Sequence, residues 1–143
     1  MPFSGKLHEG AIYRLRTPPA YAVNYPYIVV SENPGEPADI LTIREFNRIK
    51  KGIKKNLKKG KGLEILVSPA RKMDSVSLGK WFSSLADLYK FCHWSRCQFI
   101  ISSGAQSKYE MISGPCLDAI LKTVDIDPQN HWISLGKWLE GKL

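Results

Sequence analysis

Short runs of β-branched and aliphatic residues alternate along this chain with longer stretches whose apolar positions recur every three or four residues. Runs of the first kind predict strands, and stretches of the second predict amphipathic helices. "AIYRLR", residues 11–16, alternates apolar with polar positions and predicts a first strand. In "TPPAYAVNYP", Pro18 and Pro19 suit the opening of a short helix that Pro26 must close. "YIVVSE", residues 27–32, has the composition of a strand buried on both faces, and "NPGEPAD" that of a turn-forming loop.

A helix is expected next. Thr42 and Glu45 stand three apart, the spacing of a capping box, and Phe46, Ile49, Ile53 and Leu57 form a continuous helical stripe. Gly60 supplies a left-handed stop. "LEILVSP", residues 63–69, predicts a strand. Ser75 or Ser77 then caps a helix facing inward through Leu78, Phe82, Leu85 and Leu88, with Trp81, Tyr89 and Cys92 widening the stripe. "CQFIISSGA", residues 97–105, reads as a strand, and Ser113 with Pro115 opens a helix carrying Leu117, Ile120, Leu121 and Val124. Asp127-Pro128 marks a turn, "HWISL" a last short strand, and "GKWLEGKL" a closing helix. This alternation implies an α/β fold of βα units on a parallel sheet of about five strands. Ligands of such sheets bind at the carboxyl ends of the strands, here residues 16–18, 31–33, 68–72 and 102–108.

Composition narrows the picture. A length of 143 residues suits one domain, read as residues 1–143 with a flexible stretch at 1–10. Hydrophobic content of 43% points to a folded core rather than disorder. No apolar run approaches the roughly 18 residues that span a bilayer, and "MPFSGKLHEG" lacks a secretory core. Cys92, Cys97 and Cys116 form an odd set without repeated spacing, which suits free thiols in a reducing compartment, hence a cytoplasmic protein. The net charge of +8 argues for a partner bearing phosphate or carboxylate groups.

That charge is concentrated. Arg44, Arg48, Lys50, Lys51, Lys54, Lys55, Lys58, Lys59 and Lys61 share one segment with a single acid, Glu45. Lysine pairs four residues apart form rows opposite the apolar stripe and repel one another by a few tenths of a kcal/mol per pair. A helix needing only solubility would interleave glutamates, so the row favours contact with nucleic acid over a merely solvated face. Arg71, Lys72, Ser102, Ser103 and Lys108 rank second as phosphate contacts, placed by their nearness to strand ends. "SSGAQSKYE", residues 102–110, has hydroxyls and backbone amides suited to a phosphate, though any tight turn after a strand looks similar.

Other chemistry is thinner. "CHWSRC" groups Cys92, His93 and Cys97, but no second ligand pair accompanies it, so neither a metal nor another cofactor is expected. Scattered acids and three histidines make no catalytic set, and no catalytic residue is assigned. Glu64 lies within a strand and would need a partner if it faced an interior. Trp81, Trp94, Trp132 and Trp138 fall on helix stripes and read as core or subunit contacts rather than stacking surfaces.

The segments "EFNRIKKGIKKNLKKGKGLEILVSP" and "WFSSLADLYKFCHWSRCQFIISSGAQSKYEMISGPCLDAILKTVDIDP" together resemble the C-terminal half of ribonuclease P protein component 3, the 30-kilodalton-type subunit family of archaea and eukaryotes. The likeness runs over residues 42–143, and over 11–32 only by pattern; "FIISSGA" followed by "SGPCLDAIL" carries most of it. Where that family has a basic residue before this helix, Ile112 and Ser113 stand here. The resemblance implies a (β/α)-barrel fold related to metal-dependent phosphoesterases, used as a protein cofactor of a catalytic RNA in 5′ maturation of precursor tRNA. It also implies as partners ribonuclease P RNA, precursor tRNA and a small ferredoxin-like protein subunit. A complete barrel takes about 200 residues or more. The chain is therefore expected to form a partial, half TIM-type barrel completed by self-association or by another subunit. Alternatives are a small metal-dependent phosphoesterase-like enzyme and a scaffold that binds no RNA.

Overall fold

The computed structural model describes residues 12–143, apart from the side chains of Asn47, Ile49, Asn56 and Lys108. The stretch read as flexible, and Ala11 of the expected first strand, lie outside the described residues. Five strands make one sheet: β1 (Tyr13–Leu15), β2 (Tyr27–Ser31), β3 (Ile40–Ile43), β4 (Gly62–Leu66) and β5 (Gln98–Ser102). They lie side by side in chain order, every neighbouring pair parallel. The fold is α/β, with helices α1 (Phe46–Asn56) and α2 (Ser75–Ser95) crossing between β3, β4 and β5. Helices α3 (Gly114–Thr123) and α4 (Pro128–Lys142) follow the last strand.

Register divides the sheet into two faces, because residues paired across parallel strands point the same way. Leu41, Leu63 and Phe99 are in register, as are Ile43, Ile65 and Ile101. All six are buried on the face covered by α1, α2 and α3, where they meet Phe46, Ile53, Leu85, Leu88 and Leu121. Ile28, Ile40 and Ile100 occupy the opposite face, covered by Leu135, Trp138 and Leu139 of α4. Burial on both faces explains why the strands read as continuous apolar runs instead of alternating ones.

Helix α4 reaches both faces by passing around the edge strand β5. Near its start the His131 ring packs edge-on against Phe99 and Trp132, within or against the larger core. A turn later Leu135 and Trp138 lie on the smaller cluster. The Trp132 indole donates to Asp118 on α3, and that of Trp138 donates to the Gly60 carbonyl at 2.7 Å. Between these anchors Ser134 donates to the Gln98 side-chain oxygen, and the Gln98 amide donates to the Phe99 carbonyl at 2.9 Å. A backbone acceptor of the edge strand is thus satisfied by a side chain, which discourages pairing with a foreign strand. The close seating of α4 requires a glycine at position 62. A β-carbon there would fall 2.7 Å from Ile100 Cδ1 and 3.0 Å from the Trp138 ring.

Several expectations are corrected. Residues 16–26 hold no helix, because the tyrosines around Pro26 pack on one another instead: Tyr13, Tyr25 and Tyr27 stack edge to face. The capping box at Thr42 is replaced by a strand that the sequence reading omitted. Thr42 belongs to β3, and Glu45 precedes α1 without a side-chain cap. Helix α1 ends at Asn56, so Leu57 lies just past it and Gly60 takes its positive φ in the following turn; the Ile49 side chain is outside the described residues. The strand expected at 63–69 ends at Leu66, where Pro69 lies inside a 3-10 turn. "HWISL" is helical within α4, since Asp127-Pro128 serves as N-cap and first turn rather than as a break before a strand. The cap of α2 is Asp74, whose carboxylate accepts from the Ser77 amide at 2.7 Å and is thereby held below the usual carboxylate range. Ser113 does cap α3, accepting from the Cys116 amide.

Burial pushes the His131 imidazole down to about 4, against a smaller opposing pull from Asp118. The folded chain therefore holds this ring neutral, while the unfolded chain protonates it below about 6.5. Its stabilising contribution is complete above that value and is lost as pH falls from about 6.5 towards 4, a loss on the order of 3 kcal/mol. Urea unfolding across that range should show His131→Phe losing this component of the acid slope while the wild type keeps it; equal slopes would refute it.

Candidate functional site

The carboxyl ends of the strands open into a cavity of about 670 Å³ on the face that α4 leaves uncovered. The register places Arg14, Thr42, Glu64 and Ser102 on this same face. Glu64, 1% exposed, is their hub. Arg14 forks onto it, its two terminal nitrogens donating to the two carboxylate oxygens at 2.7 and 2.5 Å. Thr42 donates to one oxygen at 3.0 Å and Ser102 to the other at 2.9 Å. Arg14 is on β1 and Glu64 on β4, so the pair bridges three strand spacings. On a flat sheet that separation is about 14 Å, beyond the combined reach of two side chains standing upright. The contact therefore requires the two side chains to lean toward each other across β2 and β3, or the sheet to curl toward this face.

This cluster is the group that sequence reasoning did not assemble. Glu64 stood out as an acid in an apolar strand, but Arg14 lies fifty positions away, and Thr42 was assigned to a helix cap. Both Glu64 oxygens are engaged, so the carboxylate is a structural anchor and not a free base. At the rim, Arg44 donates to Glu32 at 2.9 Å and Ser31 to Glu36 at 2.6 Å. Among the described residues no three His, Cys, Asp or Glu side chains are grouped to hold a metal ion. Cys92, Cys97 and Cys116 are free, and burial raises the Cys92 thiol far above its ordinary value, leaving it protonated and unreactive.

The loop after β5 is already occupied. The Gln106 amide donates to the Glu110 carboxylate at 2.8 Å, and the Ala105 amide to the Ser103 hydroxyl. A carboxylate of the chain itself thus takes a place read as suitable for phosphate. Gly104, at φ +65°, presses so closely on Ser68 and Leu66 that a side chain would not fit. Arg71 and Lys72 follow β4 in the 3-10 turn and are exposed, with Arg71 donating to the Glu110 carbonyl. The Lys108 side chain is outside the described residues.

The lysine run lies elsewhere. Lys50, Lys51, Lys54 and Lys55 are exposed on α1, and Lys58 and Lys59 on the turn after it; Lys61, next to β4, is partly buried. The structure thus separates the two sets of predicted residues. Lys58 to Lys61 precede the start of β4, while Ser102 ends β5 at the opposite end of the parallel strands. Among the described residues none of these lysines forms an ion pair, whereas Arg44 and Arg48 pair with Glu32 and Glu45. Of the tryptophans read as core or subunit contacts, Trp81 is buried in the core and Trp94, 86% exposed, is not part of it.

Among the described residues no helix is long and apolar enough to cross a membrane. Comparison with known proteins finds no matching family model, curated protein or solved structure.

Removing Arg14 alone strands a buried carboxylate with two hydroxyl donors. Arg14→Leu should lower unfolding free energy by about 3 kcal/mol, the low end for a broken buried pair because the arginine is partly exposed. Arg14→Leu combined with Glu64→Leu should recover most of that loss. A urea double-mutant cycle giving additive losses would show the two residues to be uncoupled.

Proposed function

We propose that this chain is an RNA-binding, non-catalytic protein subunit, and that the RNA it serves is that of ribonuclease P, in 5′ maturation of precursor tRNA. The observation that carries the RNA reading is the lysine surface of α1 and the turn beyond it, which among the described residues forms no ion pair. Arginines nearby have acidic partners, but among the described residues these lysines have none, and only Lys50 lies over a ring, that of Phe46, so their charge is available to phosphates. Lys50, Lys51, Lys54, Lys55, Lys58 and Lys59 neutralise RNA phosphates, with Lys61, Arg71 and Lys72 extending the field. The engaged state of Glu64 favours a binding role over hydrolysis.

The choice of ribonuclease P rests on the sequence resemblance of residues 42–143. Parallel strands adjacent in chain order, with a polar end to one face, suit part of a (β/α) barrel. On this reading the chain is a half-barrel, and a second copy or another subunit completes it. Because α4 covers the β5 edge, the β1 edge is the one that such a partner joins. Sedimentation at micromolar concentration should give twice the chain's 16.2 kDa if a second copy does this; a stable species of 16.2 kDa would sink self-pairing.

The RNA reading is tested by affinity against salt. Each phosphate contact contributes roughly 0.7 to 0.9 to the slope of log affinity on log salt. The wild type should bind structured RNA with a slope of several units, and exchanging Lys50, Lys51, Lys54 and Lys55 for Gln should flatten it by about three. No measurable affinity at low salt would overturn the proposal. Recovery of ribonuclease P RNA with the protein from its native cell tests which RNA is bound.

A further inference from the structure

A groove of about 530 Å³ runs between α1 and the last turns of α2. Lys50 and Lys54 line it from α1, and Asp87, Lys90, Phe91 and Trp94 from α2. Trp94 is 86% exposed. The other three tryptophans are accounted for: Trp81 is buried, and the indoles of Trp132 and Trp138 donate to Asp118 and Gly60. Among the described residues the Trp94 indole makes no hydrogen bond and packs on no other ring. Phe91, by contrast, turns inward and packs 5.4 Å from Phe46 in the core, leaving the Trp94 ring as the groove's open aromatic surface.

A single exposed apolar ring is ordinary on a protein surface. Its neighbours set this one apart, since three lysines and only one acid share the groove. A protein partner selected for an apolar ring would gain little from desolvating three ammonium groups. A nucleic-acid strand matches both features, because its bases stack on aromatic rings while flanking phosphates take the cations. Stacking requires a base free of its own helix, which separates an unpaired strand from a duplex.

We propose that Trp94 is a stacking platform for an unpaired base of the bound RNA, with Lys50, Lys54 and Lys90 holding the adjoining phosphates. This rests on the RNA reading above and adds to it the class of RNA: single-stranded segments, loops or bulges. The lysines grip any strand, and Trp94 confers the preference for unpaired ones.

The test compares a short fluorescein-labelled RNA, single-stranded and as a blunt duplex, by anisotropy. Trp94→Ala should weaken single-strand binding by roughly 5- to 150-fold, the range for one lost base stack. Duplex binding should change by no more than about two-fold, and Trp94→Phe, which keeps a ring, should restore most of the single-strand affinity. The wild-type salt slope should persist in Trp94→Ala, while Lys50→Gln with Lys54→Gln should reduce it for both RNAs. Equal losses on both RNAs, or none on either, would overturn the stacking role and leave the RNA reading intact. If the wild type bound neither RNA, both would fall. If wild-type oligomers dissociated in Trp94→Ala without RNA, the ring would belong to a protein contact, and the proposal would be wrong.

Discussion

A carboxylate withdrawn from water must be compensated, and Glu64 is withdrawn almost completely. The compensation comes from three other strands: a guanidinium on β1 and hydroxyls on β3 and β5. Much of the architecture is tied to that requirement. Strand β1 is three residues long, and no helix packs it down from the segment that follows. Its hydrogen bonds to β2 and the reach of Arg14 to Glu64 hold it in place. The same reach ties β1 to β4 across this face and divides it in two. Toward the strand starts the face is apolar and sealed by α4; toward the strand ends it is polar and open.

The parts readable from sequence are those whose stabilising partners lie close in the chain. Helix α2 carries Trp81, Leu85, Leu88 and Cys92 on one stripe, and the Ser113 cap of α3 bonds three residues ahead. Strand β3 escaped notice because its four residues follow a proline- and glycine-rich loop, and Thr42 with Glu45 imitates a capping box. What decides the matter is Glu64, to which Thr42 gives its hydroxyl across twenty-two positions. "HWISL" misled in the opposite sense. Its bulky residues suit a strand, but Asp127 and Pro128 begin a helix whose two faces are buried on different clusters. The candidate RNA surface was legible as a charge run, and Trp94 was not. Spacing alone does not tell a ring facing the core from one turned to solvent two turns from the last buried leucine.

The structure keeps its two polar regions apart. The strand-end cavity mixes acids with arginines that are largely paired internally. The α1 surface carries lysines that have no acidic partner among the described residues, on the far side of the larger core. Charge paired within the fold and charge without an acidic partner among the described residues are thus carried by different side chains. If the proposed RNA role holds, lysine substitutions on α1 act on affinity with little effect on folding, while changes in the Glu64 cluster act chiefly on stability.

The passage of α4 around β5 also orders events during synthesis. A ribosome releases β1 to β5 well before Trp138 and Leu139 emerge, and through that interval Ile28, Ile40 and Ile100 have no cover. The nascent sheet then presents both an apolar face and an unguarded edge at β5, the combination that invites aggregation between neighbouring chains. Closing the helix over them is a late step joining residues far apart in sequence, as the bond from Trp138 to Gly60 spans seventy-eight positions. The speed of this one docking event sets how long each new molecule is at risk.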